Sequence, residues 1–440
     1  MRFLTTLLLA FATAALGAWL YLDPSHRPAS APATLLPLTA DRVVELRIER
    51  GEEEVVLVRD GDFWIIREPR AARADQERVT ALLEKALGSP ILRELEGSAT
   101  DHAKYGLSPP QARLDFRTDE GAVHRLDLGR ETPLGGNAYA RTEHAGFVLV
   151  SRDLPFAANR GFDDLRNRKA LPPHRKPDEI RMRRPGLPDT LLVRSEATWK
   201  IVDPFLAEAD NEVVAEFLRR LDRLRAEAFL DDATEADLDA YSFHPPPLEI
   251  ELGYPQPTEG DGLRIAIGGP NLRAATPQVW LRIDNLPTLL SVNKPDVIPL
   301  DLSPDALRDK RLLKANAREI DAFTIERAGV DPLRLVRGET GWTVAGAPAD
   351  AGTIRRYLDD ALGLRGEQTL STAGGAEHFG LATPSLRIVF EATPADSPRA
   401  LRLHETEDSR FVAAAEGSGI IYSIGPHAFA RLDKTRKDFE

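Results

Sequence analysis

The sequence predicts an α+β chain: an N-terminal transmembrane helix, then three tandem repeats of a mostly antiparallel β domain with one main helix each. Three observations carry that prediction. The phrase Leu-Val-Arg, four variable residues, Trp occurs as "LVRDGDFW" (57–64), "LVRSEATW" (192–199) and "LVRGETGW" (335–342). Beyond each copy an aspartate opens a segment with apolar residues three and four apart, the period of a helix that buries one stripe. Ahead of all three, Phe3 to Leu22 is a run of twenty uncharged residues.

Twenty residues of helix rise about 30 Å, the thickness of a hydrocarbon core. Trp19 and Tyr21 stand at the far end, where amphipathic rings favour the interface. Arg2 and the α-amine stay on the cytoplasmic side. The expectation is a single-pass anchor over residues 1–22 in the inner (cytoplasmic) membrane, with the bulk of the chain extracytoplasmic, or periplasmic. A cleaved signal peptide is the alternative, with small-residue sites at Ala12-Thr13-Ala14 and Ala15-Leu16-Gly17, although the apolar run continues past both. Residues 23–40 read as a Pro/Ala-rich spacer of the extended, semi-rigid kind.

The repeat units are expected at 41–171, 178–313 and 318–440. A proline follows the tryptophan by five residues at Pro69 and Pro204, and by six at Pro348. Asp75, Asp210 and Asp350 then fit the helix N-cap, where a carboxylate accepts from unpaired amides. The stripes are Val79, Leu82, Leu83, Ala86 and Leu87; Val213, Val214, Phe217, Leu218, Leu221 and Leu224; and Ile354, Tyr357, Leu358, Ala361 and Leu362. Next come "YGLSPP" (105–110), "YSFHPP" (241–246) and "FGLATP" (379–384), followed by the alternating runs "ARLDFRT", "LEIELGY" and "LRIVFEA". The copies close on "DLRNRKAL", "ALRDKRLL" and "LDKTRKDF". The tryptophans are 135 and 143 residues apart. That spacing exceeds a solenoid period of about 20–50 residues and suffices for a core in each copy.

Within the opening phrase, Asp60-Gly61 suggests a two-residue hairpin loop. This register sets Leu57 opposite Trp64 and Val58 opposite Phe63, with Arg59 diagonal to the indole and able to cover it. The repeat signature is thus Arg59 with Trp64, Arg194 with Trp199, and Arg337 with Trp342. The tryptophan is expected to pack a core with arginine as its polar edge; the alternative is an aromatic platform for a ligand. In the closures, Arg166, Arg168 and Lys169 match Arg308, Lys310 and Arg311, and approximately Lys434, Arg436 and Lys437. They read as an ion-paired junction between copies, or as a contact patch for a partner or for anionic headgroups.

No pattern points to catalysis, and no cofactor is expected. The chain has no cysteine, which excludes disulfides, thiolate metal sites, a cysteine nucleophile and a lipidated N-terminal cysteine. Its nine histidines form no metal-binding spacing. "DDATEADLDAY" (231–241) lacks the central Gly and the twelfth-position Glu of a calcium loop. "EGSG" (416–419) falls short of a nucleophile elbow. A net charge of −12 argues against broad nucleic-acid binding.

The N-terminal run, the Leu-Val-Arg-x4-Trp phrase with its proline, "KYGLSPP" and "DDLRNRKAL" together resemble the bacterial domain-of-unknown-function family 4340, over the span from about Asp41 onward. The second copy departs with Tyr241-Ser242-Phe243-His244, and the third with Phe379 and a degraded closure. The resemblance implies a membrane-anchored extracytoplasmic accessory of a gliding-type ABC transporter. Its partner would be an inner-membrane complex, namely a permease or related subunit, and the family supplies no catalytic residues. The expected function is a non-enzymatic scaffold or accessory subunit. The alternative is a periplasmic binding protein for an envelope polymer or a small ligand.

Overall fold

The computed structural model describes residues 34–96, 102–172, 176–254, 262–284, 286–392 and 399–440. The apolar run Phe3–Leu22 and most of the expected spacer lie outside them. Among the described residues no helix is long and apolar enough to cross a membrane.

In the first copy the strands are β1 (Val43–Arg50), β2 (Glu53–Asp60), β3 (Phe63–Glu68), β4 (Ala72–Arg73), β5 (Arg93–Glu94), β6 (Ala112–Thr118), β7 (Val123–Glu131), β8 (Asn137–Thr142) and β9 (Gly146–Ser151). They form one sheet in the order β4-β3-β2-β1-β6-β7-β8-β9-β5, and the second and third copies repeat that nine-stranded order. Their ladders are antiparallel too, as at Ile180↔Leu192 and Phe323↔Leu335. The described residues therefore form three antiparallel nine-stranded sheets with few helices, an α+β architecture in three repeats. By spatial proximity it divides into two compact units, one running to Lys169 and including Ala226–Phe229, the other holding Ala170–Arg225 and Leu230–Glu440.

One main helix belongs to each copy: α1 (Gln76–Leu87), α2 (Asn211–Arg223) and α3 (Ala351–Leu362). The expected stripes of α1 and α3 are buried in full, whereas in α2 Val213 and Leu218 are only half-buried. The α1 stripe joins Leu46, Ile48, Leu57, Trp64 and Ile66 in the first core. Burying a side chain of that size is worth about 1.5–3 kcal/mol, so such a stripe holds a helix too short to persist alone. The three aspartates cap as expected: Asp75 accepts from the Arg78 N–H at 3.2 Å, Asp210 from Glu212 at 3.0 Å, and Asp350 from Thr353 at 2.7 Å.

The aromatic-led phrases cover the other sheet face. Leu107, Phe243 and Leu381 are buried, and the latter two belong to small cores of their own. With both faces covered, the central residues of β7 form a continuous buried run instead of alternating. In each phrase the second residue has positive φ: Gly106 (+69°), Ser242 (+60°) and Gly380 (+70°). A Cβ on Gly106 would lie 2.7 Å from Arg130 Cγ, and one on Gly380 would lie 2.3 Å from the His404 ring. Opposite Ser242 stands Gly269, where a Cβ would be 3.2 Å from the serine Oγ. The second copy tolerates a side chain here because its partner position lacks one.

Two expectations need correction. Leu35 and Leu36, placed in the spacer, are 0% and 3% exposed and belong to the first core. Thr142 Oγ1 donates to the Leu35 carbonyl at 3.0 Å, so that end of the spacer is part of the fold. The hairpin register also shifts by one residue. Asp60 pairs with Phe63 and Arg59 pairs directly with Trp64, so the loop is Gly61-Asp62 and not Asp60-Gly61. Gly61, at the first loop position, has φ +60°, as a type II′ turn requires.

Candidate functional site

The signature pair occupies one register in all three copies. Arg194 stands opposite Trp199, and Arg337 opposite Trp342, as Arg59 does Trp64. Arginine lies over indole at 6.0 Å in the second copy and 5.1 Å in the third, within cation–π range. Two of the arginines also clasp the short 3-10 turn leading into their sheet. Arg59 Nη1 donates to the Asp41 carbonyl at 3.0 Å, and Arg337 donates to the carbonyls of Arg318 and Ala317, each at 3.0 Å.

The tryptophans differ in their closure. In the first copy Gln76, the first residue of α1, accepts from the Trp64 N–H at 2.7 Å and donates to its carbonyl at 2.9 Å. Asn211, which opens α2, accepts from the Trp199 N–H at 2.9 Å. These indoles are 6% and 7% exposed. At the same position of α3 stands Ala351, which has no amide to offer, and Trp342 is only half-buried. Beside it opens a cleft of about 380 Å³, lined by Trp342, Arg318, Arg337, Ala351, Arg355 and Asp359 among others.

The basic closures serve the junctions. Arg166 is 8% exposed with its guanidinium 3.9 Å from the Phe229 ring centroid, and Arg308 is 6% exposed and 4.2 Å from that of Phe205. Around the second closure the ionic groups interlock. Asp309 pairs with Arg311 at 2.7 Å, Asp305 with Lys310 at 2.8 Å, and the N-cap Asp210 with Arg365 at 2.9 Å. Backbone bonds run alongside: Asp309 N–H to Glu208 O at 2.9 Å, Leu312 N–H to Leu364 O at 3.1 Å, and Gly366 N–H to Lys310 O at 2.9 Å. The first closes the second copy on itself, and the other two join it to the third inside one compact unit. At the first closure Arg168 is half-buried and donates to the Glu227 carbonyl at 3.1 Å, while Lys169 is exposed. A partner would have to open the chain to reach Arg166 or Arg308, so of the six residues Lys169 and Arg311 are the accessible ones.

The third closure aligns differently from the expected Lys434, Arg436 and Lys437. The N–H of each N-cap aspartate donates to a closing carbonyl: Asp75 to Leu165 at 2.7 Å, Asp210 to Leu307 at 2.8 Å and Asp350 to Phe439 at 2.8 Å. Phe439 is therefore the counterpart of Leu165 and Leu307, and Glu440 takes the place of Arg166 and Arg308.

Burial pushes the Tyr357 phenol far up, and its hydroxyl donates to the Leu432 carbonyl at 3.1 Å, a structural bond. Ser385 Oγ and His404 Nδ1 lie 3.0 Å apart, but the ring is wedged over Gly380 and serves packing. Among the described residues no group of three His, Cys, Asp or Glu is arranged to hold a metal ion.

The family described as Domain of unknown function (DUF4340) matches residues 64–246 and 199–347. The chain belongs to this family. Both matched stretches begin at a signature tryptophan, Trp64 and Trp199, in keeping with a repeated unit. No curated protein matches the chain.

Proposed function

We propose that this member of the DUF4340 family is a membrane-anchored extracytoplasmic scaffold or accessory subunit of a gliding-type ABC transporter complex, without catalytic activity. The observation that carries this reading is the second junction. Charged groups there, Asp210 with Arg365 among them, join one copy to the next and would make the pair of copies a spacer between partners. The apolar run Phe3–Leu22 would hold the chain at the bilayer. The transporter partner rests on the family resemblance.

The test is purification of the full chain from mildly solubilised native membranes, in parallel with a chain lacking residues 1–22. The reading requires an ABC permease-type subunit to accompany the full chain and the truncated chain to leave the membrane fraction. Recovery of the full chain alone would overturn it.

A second reading, a binding protein for an envelope polymer or a small ligand, has one specific observation in its favour: the cleft beside Trp342.

A further inference from the structure

We infer that the cleft beside Trp342 is a binding site for a small organic anion with an apolar body, such as an aryl carboxylate or aryl phosphate. The inference depends on neither the anchor nor the transporter.

Two departures from the repeat and one difference from the first copy meet at this one place. First, Ala351 stands where Gln76 and Asn211 close on the tryptophan backbone in the other copies. Second, the 3-10 turn that the signature arginine clasps carries Arg318, where the first copy has Asp41 and the second copy's sequence has Arg175. Third, Arg355 lies in α3 where α1 has Thr80 and α2 has Ala215, counting from the N-cap aspartates. Arg355 has been added beside Arg318 where one closing amide has been lost. Drift that only loosened the fold would not be expected to concentrate charge in the opening.

The resulting chemistry is specific. About 380 Å³ is within the range of small-ligand pockets, roughly 300–1,000 Å³. Three arginines and one carboxylate, Asp359, line it, so positive charge is in excess. The side chains of Arg318 and Arg355 make no ion pair among the described residues. Arg337 is held in place by two carbonyls and the indole, so its charge needs no reorganisation to meet an anion. Trp342, Ala351 and Leu358 supply the apolar wall. Guanidinium forks suit carboxylate or phosphate oxygens, and the indole suits a ring.

The test is calorimetric titration of the full chain with phenyl phosphate and phenylacetate. Inorganic phosphate and benzyl alcohol serve as probes that each carry half of the ligand. The proposal predicts saturable binding of at least one aryl anion, tighter by tenfold or more than either half-probe, and weakened at least tenfold in Arg318→Ala and Arg355→Ala. Which aryl anion binds more tightly separates phosphate from carboxylate recognition. Ala351→Gln, which restores the amide of the other copies, is predicted to abolish binding with no loss of thermal stability. Absence of aryl-anion binding would overturn the proposal. So would binding that survives all three substitutions, or equal affinity for inorganic phosphate.

Discussion

The main-chain N–H of Asp350 donates to the carbonyl of Phe439 at 2.8 Å, tying the N-cap of α3 to a ring that is 0% exposed. Phe439 meets Tyr357 edge-on at 5.3 Å, so the same tie inserts the closing residue beneath the helix it caps. Asp75 with Leu165 and Asp210 with Leu307 repeat the arrangement. Each copy is thus fastened by the segment that ends it.

Removing a cap should loosen this fastening. Asp210→Ala deletes acceptors for two helix amides and the partner of Arg365. A loss of about 1–2 kcal/mol is expected, read as a lower urea midpoint. Asp210→Asn keeps the cap and should recover most of it.

The second hairpin carries a strained residue. Glu196 has φ +58°, whereas Glu339 in the third hairpin does not have positive φ. A left-handed L-residue costs about 1–2 kcal/mol. Glu196→Gly should therefore raise stability by about 1 kcal/mol, and Glu339→Gly should leave it unchanged or lower it by a similar amount. Chemical denaturation of the two variants checks the contrast.

Gly380 and His404 should behave as a coupled pair. Gly380→Ser places a Cβ against the ring, and a loss of about 1–3 kcal/mol is expected. Combining it with His404→Gly removes the ring that the new side chain would meet, leaving a glycine as at Gly268 of the second copy. The double variant should be less destabilised than the sum of its parts, as a double-mutant cycle would measure.

The second junction should fail in acid. Burial would raise the Asp309 carboxyl, but hydrogen bonds from Arg311 and the charges of Arg311 and Lys314 prevail and hold it below its ordinary value of 3.8. A depressed folded pKa gives stability that is complete above the unfolded value and is lost as pH falls through the folded one. The contribution should therefore be constant down to about pH 4 and decline below it. Asp309→Asn should be less stable at neutral pH and flatter in the acid limb of a melting-temperature profile.

Helix stripes, caps and the number of copies were legible because each rests on local chemistry that recurs in all three. The hairpin register was not, since both Asp60-Gly61 and Gly61-Asp62 are good turns and only the ladder decides between them. Leu35 and Leu36 were hidden by the Pro/Ala-rich residues before them. The third closure was misaligned because its basic residues resemble the others, while the equivalent bonds are made by Phe439. The opened cleft had a readable signal: Ala351 after the cap, where the other copies have Gln76 and Asn211. It could be interpreted only once those amides were seen to hold the tryptophan backbone.

One module is used three times, closed over its tryptophan in the first two copies and opened in the third. Acrylamide quenching can distinguish the closed from the opened copies, in variants that keep one signature tryptophan and carry phenylalanine at every other. Trp64 and Trp199 should be shielded alike and Trp342 quenched several-fold more efficiently. Equal quenching of all three, or stronger quenching of Trp64 or Trp199, would mean that the third copy is not opened at its tryptophan.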